Sequence, residues 1–542
     1  MEESADVIVV GAGAGGLAAA ISASESGGTV RLIEKQDTVG GTAAISGGVV
    51  WAPANEHMEP GLRSKDRAAA KAYFHALSRD LDGDVLTAFI DGAAEAIAFF
   101  ERETPLRLAV LEGYPDYYLD RAGALVKGGR ALDCDLFDFN RLGDWRDKVF
   151  VSGPASRLML RETPLGGATS LPSPDEFGRR IAADLRGFGQ ALVGALLRGC
   201  LDRGIEPMLG ARAQRLLTEG DEVVGVEYRR GDQTGRLMAR RAVILATGGF
   251  EWDPDLVRAF LRGPLTHPAS PPGNTGDGLK LAQGIGAGLA NMTNAWWTPT
   301  LTPDDQFWPD GSPKSSPVLI ERTLPGSIMV NRRGRRFCNE ATNYSALGGA
   351  FHQFDANAYD WANLPAWLIF DSTYKGRYPV GTAPPGPDTP EWIVSAPSLC
   401  ALAAAIGCDA TGLEETVARF NMNAAAGRDP DFSRGESPYD VFYGDRSRPG
   451  AAGTLGPLNA APYFAVPITI GALGTNGGVR TDARACALNA DGKVIEGLYA
   501  VGNVMAAPTG SVYAGAGGTL GPILTFAHIA GRHAAMRVAR RA

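Results

Sequence analysis

The chain has 542 residues, of which 45% are hydrophobic and 21% charged, with a net charge of −8. These are the proportions of an ordinary globular protein of more than one usual domain, and the acidic balance argues against nucleic acid as a partner. Six cysteines at 134, 200, 338, 400, 408 and 486 form no CxxC pair and six histidines are equally scattered, so no metal site or disulfide framework is legible. No apolar run approaches the roughly 18 residues of a membrane span. The first strand starts within a few residues of Met1, which leaves no room for a signal peptide. The expected compartment is the cytoplasm, with a peripheral membrane contact left open.

The organising stretch is residues 6–18. An apolar run, Asp6–Val10, leads into Gly11, Gly13, Gly15 and Gly16, and then into a small-residue helix from Leu17. Strand, GxGxxG turn and helix follow in the order a dinucleotide site requires. Gly11 permits the tight turn, Gly13 lets a pyrophosphate approach the backbone, and Gly16 lets helix and strand pack closely. The helix N-terminus then offers free N–H groups to phosphate. A second strand, Thr29–Ile33, ends at Glu34, 23 residues after Gly11, followed by Lys35. An acidic residue there accepts hydrogen bonds from ribose hydroxyls.

Two glycine pairs follow, in Thr38–Thr42 (Gly41, Thr42) and Ile45–Gly48 (Ser46, Gly47, Gly48). Taken alone they are equally simple turns. Residues 65–104 carry apolar positions at helical spacing, among them Ala70, Tyr73, Phe74 and Leu77. A loop with three aromatic hydroxyls, residues 112–119, and an irregular Gly- and Pro-rich stretch, 120–175, come next. A helix over Gly189–Arg203 precedes a strand pair, Ala211–Leu217 (with Ala213) and Val223–Tyr228. A buried strand from Ala242 then ends in Ala246, Thr247, Gly248 and Gly249. Asn274 to Gly278 open a helix at Leu279, where Asp277 has the position of a cap.

From about 293 the character changes. Trp296, Trp297, Phe307 and Trp308 punctuate a Pro-rich stretch, and Arg332, Arg333, Arg335 and Arg336 form a basic cluster. In so acidic a chain this cluster is read as a solvated hairpin turn. The chain returns through Gly471–Gly478 and a strand, Gly497–Val501, that ends at Gly502 and Asn503. A last glycine-rich loop, Tyr513–Pro522, opens a helix over Ile523–Arg532, whose N–H groups face an electron-rich ligand.

These glycine signatures together resemble the fumarate reductase and succinate dehydrogenase flavoprotein superfamily. Three places look like the 3-ketosteroid Δ1-dehydrogenases within it: the Pro-Asp-Tyr loop at 115–117, residues 337–344, and Tyr513–Pro522. The fold the resemblance implies is α/β, a Rossmann-like FAD-binding domain with an inserted α+β catalytic cap. Its division is 1–292 (with a covering segment at 50–190), 293–467 for the cap, and 468–542 for the return. The implied cofactor is FAD, non-covalent because no histidine adjoins Ser46–Gly48. Its implied contacts are the residues named above together with Gly518, Thr519 and Leu520, and Asp277 is assigned to the ribityl hydroxyls.

The resemblance also implies an active site. Tyr513 and the Gly517 N–H hold the C3 carbonyl oxygen, Tyr344 takes a proton from C2, and Tyr117 (rather than Tyr118) relays it. Flavin N5 receives hydride from C1, leaving a C1=C2 double bond in a 3-ketosteroid, and an external, quinone-like acceptor reoxidises the flavin. Ala514 departs from the family's usual proline. Leu473 stands where fumarate reductases place a histidine. The rival readings are a desaturase of smaller, cyclohexanone-type ketones, a fumarate-type reductase, and a flavin-fold binder without turnover.

Overall fold

The computed structural model describes residues 2–79 and 81–540. Its largest sheet has seven strands around a parallel core: Val30–Ile33, Glu2–Val10, Gln233–Leu245 and Val494–Ala500 lie side by side in that order. The strand Glu2–Val10 is central, which explains its unbroken apolar run: Val7, Ile8 and Val9 are fully buried, as a parallel strand covered on both faces requires. The predicted pair is present as Ala211–Glu219 and Glu222–Arg230, antiparallel, and hangs from the first half of Gln233–Leu245.

Helix Ala14–Glu25 lies against the last helix, Leu520–Met536. The crossing is close because Gly531 faces the backbone of Ala19, where an added Cβ would stand 2.5 Å from the carbonyl oxygen. The helical stretch at 65–104 is two helices, Pro60–Leu77 and Gly83–Glu103, the second capped by Asp82, whose carboxylate accepts from Asp84 and Val85 N–H. Among the described residues, no helix is long and apolar enough to cross a membrane.

A second, antiparallel sheet of six strands is built from Ala295 onward. Ser316–Pro317, Ala295–Leu301, Tyr463–Thr475, Ala366–Asp371 and Ser327–Asn331 lie in that order, with Val394–Ala396 added to Tyr463–Thr475. The strand Tyr463–Thr475 runs unbroken through position 468 and returns the chain to the first sheet.

The arginine cluster is a hairpin turn, but not wholly a solvated one. Arg332, Arg333 and Arg335 pair at the surface with Asp360, Asp355 and Glu415. Arg336 is buried instead, held by Glu340 at 2.6 Å and Asp429 at 2.8 Å. Glu340 also accepts from Arg434 at 3.1 Å and from the Met329 N–H. A buried charge needs such partners, and the effect is to fasten the segment that leads to Tyr344.

A flavin groove opening into a cavity of tyrosines

Two cavities run into one another at the carboxyl ends of the parallel strands, where ligands of open α/β sheets bind. They share Thr42, Ala43, Asn503 and Ile523 in their walls. The first, about 290 Å³, is a groove past the glycine loop. Gly11, Gly13, Gly15, Glu34, Lys35, Gly41, Thr42, Ala213, Ala246, Thr247, Gly248, Asn274, Asp277, Gly502 and Asn503 all line it.

The glycines divide the labour as expected. Gly11 has φ +105, and a Cβ there would strike the Ala246 carbonyl; a Cβ on Gly16 would strike the Gly11 carbonyl. Gly13 has only the Gly40 carbonyl oxygen, 3.9 Å from where its Cβ would be. The space over Gly13 therefore belongs to the groove. Gly13→Val should leave the fold intact and fill that space, yielding colourless protein. Purification without added flavin and an absorbance spectrum check it; full flavin absorbance in the variant would remove Gly13 from the site.

Glu34 is held at the base of the groove by the Ala12 N–H at 2.8 Å and the Gln36 N–H at 2.9 Å, and burial pushes its carboxyl up. Asp277 lines the groove with its carboxylate paired to Lys35 at 3.1 Å and to Arg212 at 2.8 Å. Gly16 and Gly518 stand one layer behind the cavity walls, Gly16 against Gly11 and Gly518 against Gly515 and Tyr513. Sequence reading missed Glu251, a buried carboxylate on which Asn274 Nδ2 (2.7 Å), Ser270 Oγ (2.7 Å) and the Thr475 N–H (3.3 Å) converge. Asn274 passes on to Thr42 Oγ1 at 2.8 Å, so Glu251 sets the groove wall from one layer back.

The second cavity, about 580 Å³, has Ser46, Gly47, Gly48, Thr519 and Leu520 on one side and a tyrosine cluster on the other. Tyr117, Tyr344, Tyr513 and Gly517 all reach it, from three separate stretches of chain. The Tyr117 hydroxyl donates to Tyr344 at 3.1 Å. The Tyr117 and Tyr513 rings stack at 5.7 Å, and Tyr344 meets Tyr513 edge-on at 5.5 Å. Tyr118 packs against the cluster without lining the cavity, its N–H held by the Tyr73 hydroxyl and its own hydroxyl set beside Asn343. Trp296 closes on Tyr513 edge-on at 5.3 Å.

The loop carrying Tyr513 is tied down by backbone. The Ala514 carbonyl accepts from the Tyr117 N–H at 3.0 Å and from the Tyr73 hydroxyl at 2.9 Å. Those bonds use the carbonyl, so alanine replaces proline here without loosening the anchor. Gly517, at φ +84, gives its carbonyl to the Trp51 and Gly521 N–H groups, and among the described residues its own N–H meets no acceptor. Beneath this loop Arg130 is buried between Asp66 (2.7 Å) and Asp116 (2.6 Å), and Asp116 also accepts from Trp51 Nε1 at 2.9 Å. This network, missed in the sequence, fixes the residue that precedes Tyr117.

The electrostatics follow from burial. Desolvation pushes the phenols of Tyr117 and Tyr344 well above the usual tyrosine range, and raises Tyr513 as well. The hydrogen bond from Tyr117 works in the opposite direction on Tyr344, by favouring its phenolate. Leu473 is an apolar part of the wall. Among the described residues neither arginine nor histidine lines the cavity, so there is no bidentate clamp for a dicarboxylate.

The groove, with its glycine loop, ribose acid and open space over Gly13, fits an FAD, and among the described residues no histidine lines either cavity. The FAD binding domain family matches residues 6–520. The chain is 40% identical over 536 residues to a 4-oxocyclohexanecarboxylate 2-dehydrogenase of Sinomonas cyclohexanicum, covering 97% of this chain and 92% of that one. It is 35% identical to a 3-oxosteroid 1-dehydrogenase of Mycobacterium tuberculosis (strain ATCC 25618 / H37Rv), covering 99% of each. Among solved structures it resembles a 3-ketosteroid Δ1-dehydrogenase from Sterolibacterium denitrificans in complex with 1,4-androstadiene-3,17-dione. The TM-score is 0.89 and the identity 34%, over 98% of this chain and 99% of that one.

Proposed function

The chain belongs to the FAD binding domain family and, within it, to the group of the 3-ketosteroid Δ1-dehydrogenases and their cyclic-ketone relatives, and we propose that it desaturates a cyclic 3-ketone next to its carbonyl. It is an FAD-dependent oxidoreductase acting on a CH–CH bond, and a 3-ketosteroid is the substrate class in this reading. The observation that carries the reading is the hydroxyl contact of Tyr117 and Tyr344 beside Tyr513 in one cavity that opens onto the flavin groove.

The residues divide the reaction as follows. The Tyr513 hydroxyl and the Gly517 N–H donate to the ketone oxygen and stabilise the negative charge that grows there as the C2–H bond breaks. Tyr344, as phenolate, takes the C2 proton, and Tyr117 shares and passes on that proton. The electron pair of the C2–H bond becomes the new C1=C2 bond while the C1 hydrogen leaves with its own pair. Bound FAD supplies the acceptor for that hydride and is returned to the oxidised state by an external, quinone-like acceptor. The apolar walls keep water from the reacting carbons.

The division into an FAD-binding unit (1–292 and 468–542) and a catalytic cap (293–467) is part of the same proposal, with Tyr344 supplied by the cap and Tyr513 by the FAD-binding unit. The cytoplasm is the proposed compartment. A second reading, a single-ring ketone of the cyclohexanone type, is favoured by the 40% identity to an enzyme named for an oxocyclohexane. Leu473 disfavours a fumarate-type reductase.

A buried phenol base has a definite pH signature. Because burial raises the Tyr344 phenol, the active phenolate is a minor form at neutral pH and its share grows with pH. The rate of flavin reduction should therefore climb steadily into the alkaline range with no plateau near pH 7. A plateau there would argue against a phenol as the base. Anaerobic flavin bleaching by a panel running from cyclohexanone to androst-4-ene-3,17-dione tests the reading as a whole. Bleaching by the ketones supports it, and a flavin that stays yellow with every ketone defeats it.

A further inference from the structure

The tyrosine cavity has one charged residue in its wall among the described residues, and it is Lys314. Lys314 comes from the Pro-rich loop between the strands Ala295–Leu301 and Ser316–Pro317. The loop is pinched into a hairpin by a bridge between Phe307 and Pro313, and the Lys314 N–H is tied to the Gln306 carbonyl at 2.9 Å, so the residue has a fixed base. Its ammonium lies 5.5 Å over the Trp308 ring and donates to the Ser152 carbonyl at 3.2 Å.

No carboxylate among the described residues pairs with it, in contrast to Arg130 and Arg336, each of which has two. An ammonium has three donors, and one is used. Burial already works against its charge. The hydroxyl-bearing Ser152 and Ser316 line the cavity with it. A cation facing an otherwise uncharged, largely apolar cavity carries a desolvation cost that one carbonyl and one aromatic ring offset only in part. An anionic group on the ligand offsets it.

We propose that the ketone which this enzyme desaturates carries a carboxylate away from its carbonyl, and that Lys314 binds that carboxylate. The inference rests on the ring-ketone reading above and narrows it: the substrate is a keto acid held at two points, its ketone oxygen by Tyr513 and Gly517 and its carboxylate by Lys314. Two sources share this chemistry, a single-ring oxocyclohexanecarboxylate and a 3-ketosteroid with an acidic side chain.

The test compares each acid with its methyl ester on the FAD-loaded full chain, in wild type, Lys314→Gln and Lys314→Arg. The first arm uses 4-oxocyclohexanecarboxylate and the second a 3-ketosteroid with a carboxylate side chain. Single-turnover flavin bleaching gives kcat/KM, and calorimetry gives binding independently of turnover. One hydrogen bond to a charged group predicts that the acid is favoured over its ester by roughly 10- to 150-fold. The preference should appear in KM rather than kcat, fall to about one in Lys314→Gln, and return in Lys314→Arg. The arm in which it appears identifies the source. Equal handling of acid and ester by wild type in both arms overturns the proposal, as does an acid preference that survives Lys314→Gln. So does loss of FAD from Lys314→Gln, which would assign the ammonium to the cofactor. If neutral ketones bleach the flavin without an acid preference, only this inference falls. If no ketone bleaches it, the ring-ketone reading falls, and calorimetry still decides whether Lys314 holds the acid.

Discussion

Tyr344→Phe will lose flavin reduction while still binding the ketone. Removal of a positioned general base costs typically about 10²- to 10⁴-fold, and here the change takes away one oxygen and almost no volume. The segment that carries Tyr344 will hold, because it is fastened by the buried Glu340 between Arg336 and Arg434 and not by the Tyr344 hydroxyl. Tyr513 and the Gly517 N–H, the proposed grip on the ketone oxygen, are untouched by the change. Tyr117→Phe should be milder, since it removes the partner 3.1 Å from the base and leaves the base. Single-turnover reduction with a ketone deuterated at C1 and C2 separates the two. Rapid bleaching by Tyr344→Phe would remove it from the chemistry, and a severe Tyr117 defect beside an active Tyr344 variant would exchange their roles.

Tyr513→Phe should cost roughly 2.7–4 kcal/mol of transition-state stabilisation, the typical worth of one oxyanion donor. The ring is wedged between Tyr117, Tyr344 and Trp296, so phenylalanine keeps the packing and the FAD content. In the proposed mechanism the hydroxyl is one of two donors to the ketone oxygen, and it matters most as charge develops there, so the loss should fall on kcat more than on KM. Steady-state kinetics with a saturated ketone measures it. Near wild-type turnover would place the carbonyl elsewhere.

Much of the FAD-binding unit was legible because its constraints are local. The Gly11–Gly16 turn, the strand before it and the helix after it are fixed by neighbours in sequence, and the structure has them where the pattern puts them. The four site positions converge on one cavity, but the convergence itself was not readable from spacing. It depends on Tyr117, Tyr344 and Tyr513 arriving from stretches more than 150 residues apart in sequence, and only the resemblance linked them. The supports were invisible for the same reason. Arg130, Asp66 and Asp116 are unremarkable as single charges, and their burial as one network is a tertiary fact. Glu251 followed a recognised glycine signature directly, and its position beside a buried strand end was the available signal. Arg336 was misread because an arginine run looks solvated until the opposing acids, Glu340 and Asp429, are seen to close over one member. Lys314 carried no sequence signal at all: a lysine in a Pro-rich loop means nothing until its loop folds onto a cavity wall.

The most direct test of the account is a single anaerobic turnover: purified, FAD-loaded protein mixed with one equivalent of a saturated cyclic 3-ketone deuterated at C1 and C2, with the flavin spectrum and the product followed together. The account predicts that the flavin bleaches once per chain, that deuterium at either carbon slows the bleaching, and that the product is the ketone with a C1=C2 double bond. A flavin that remains oxidised beside every ring ketone, yet returns from its reduced form on addition of fumarate, would contradict it.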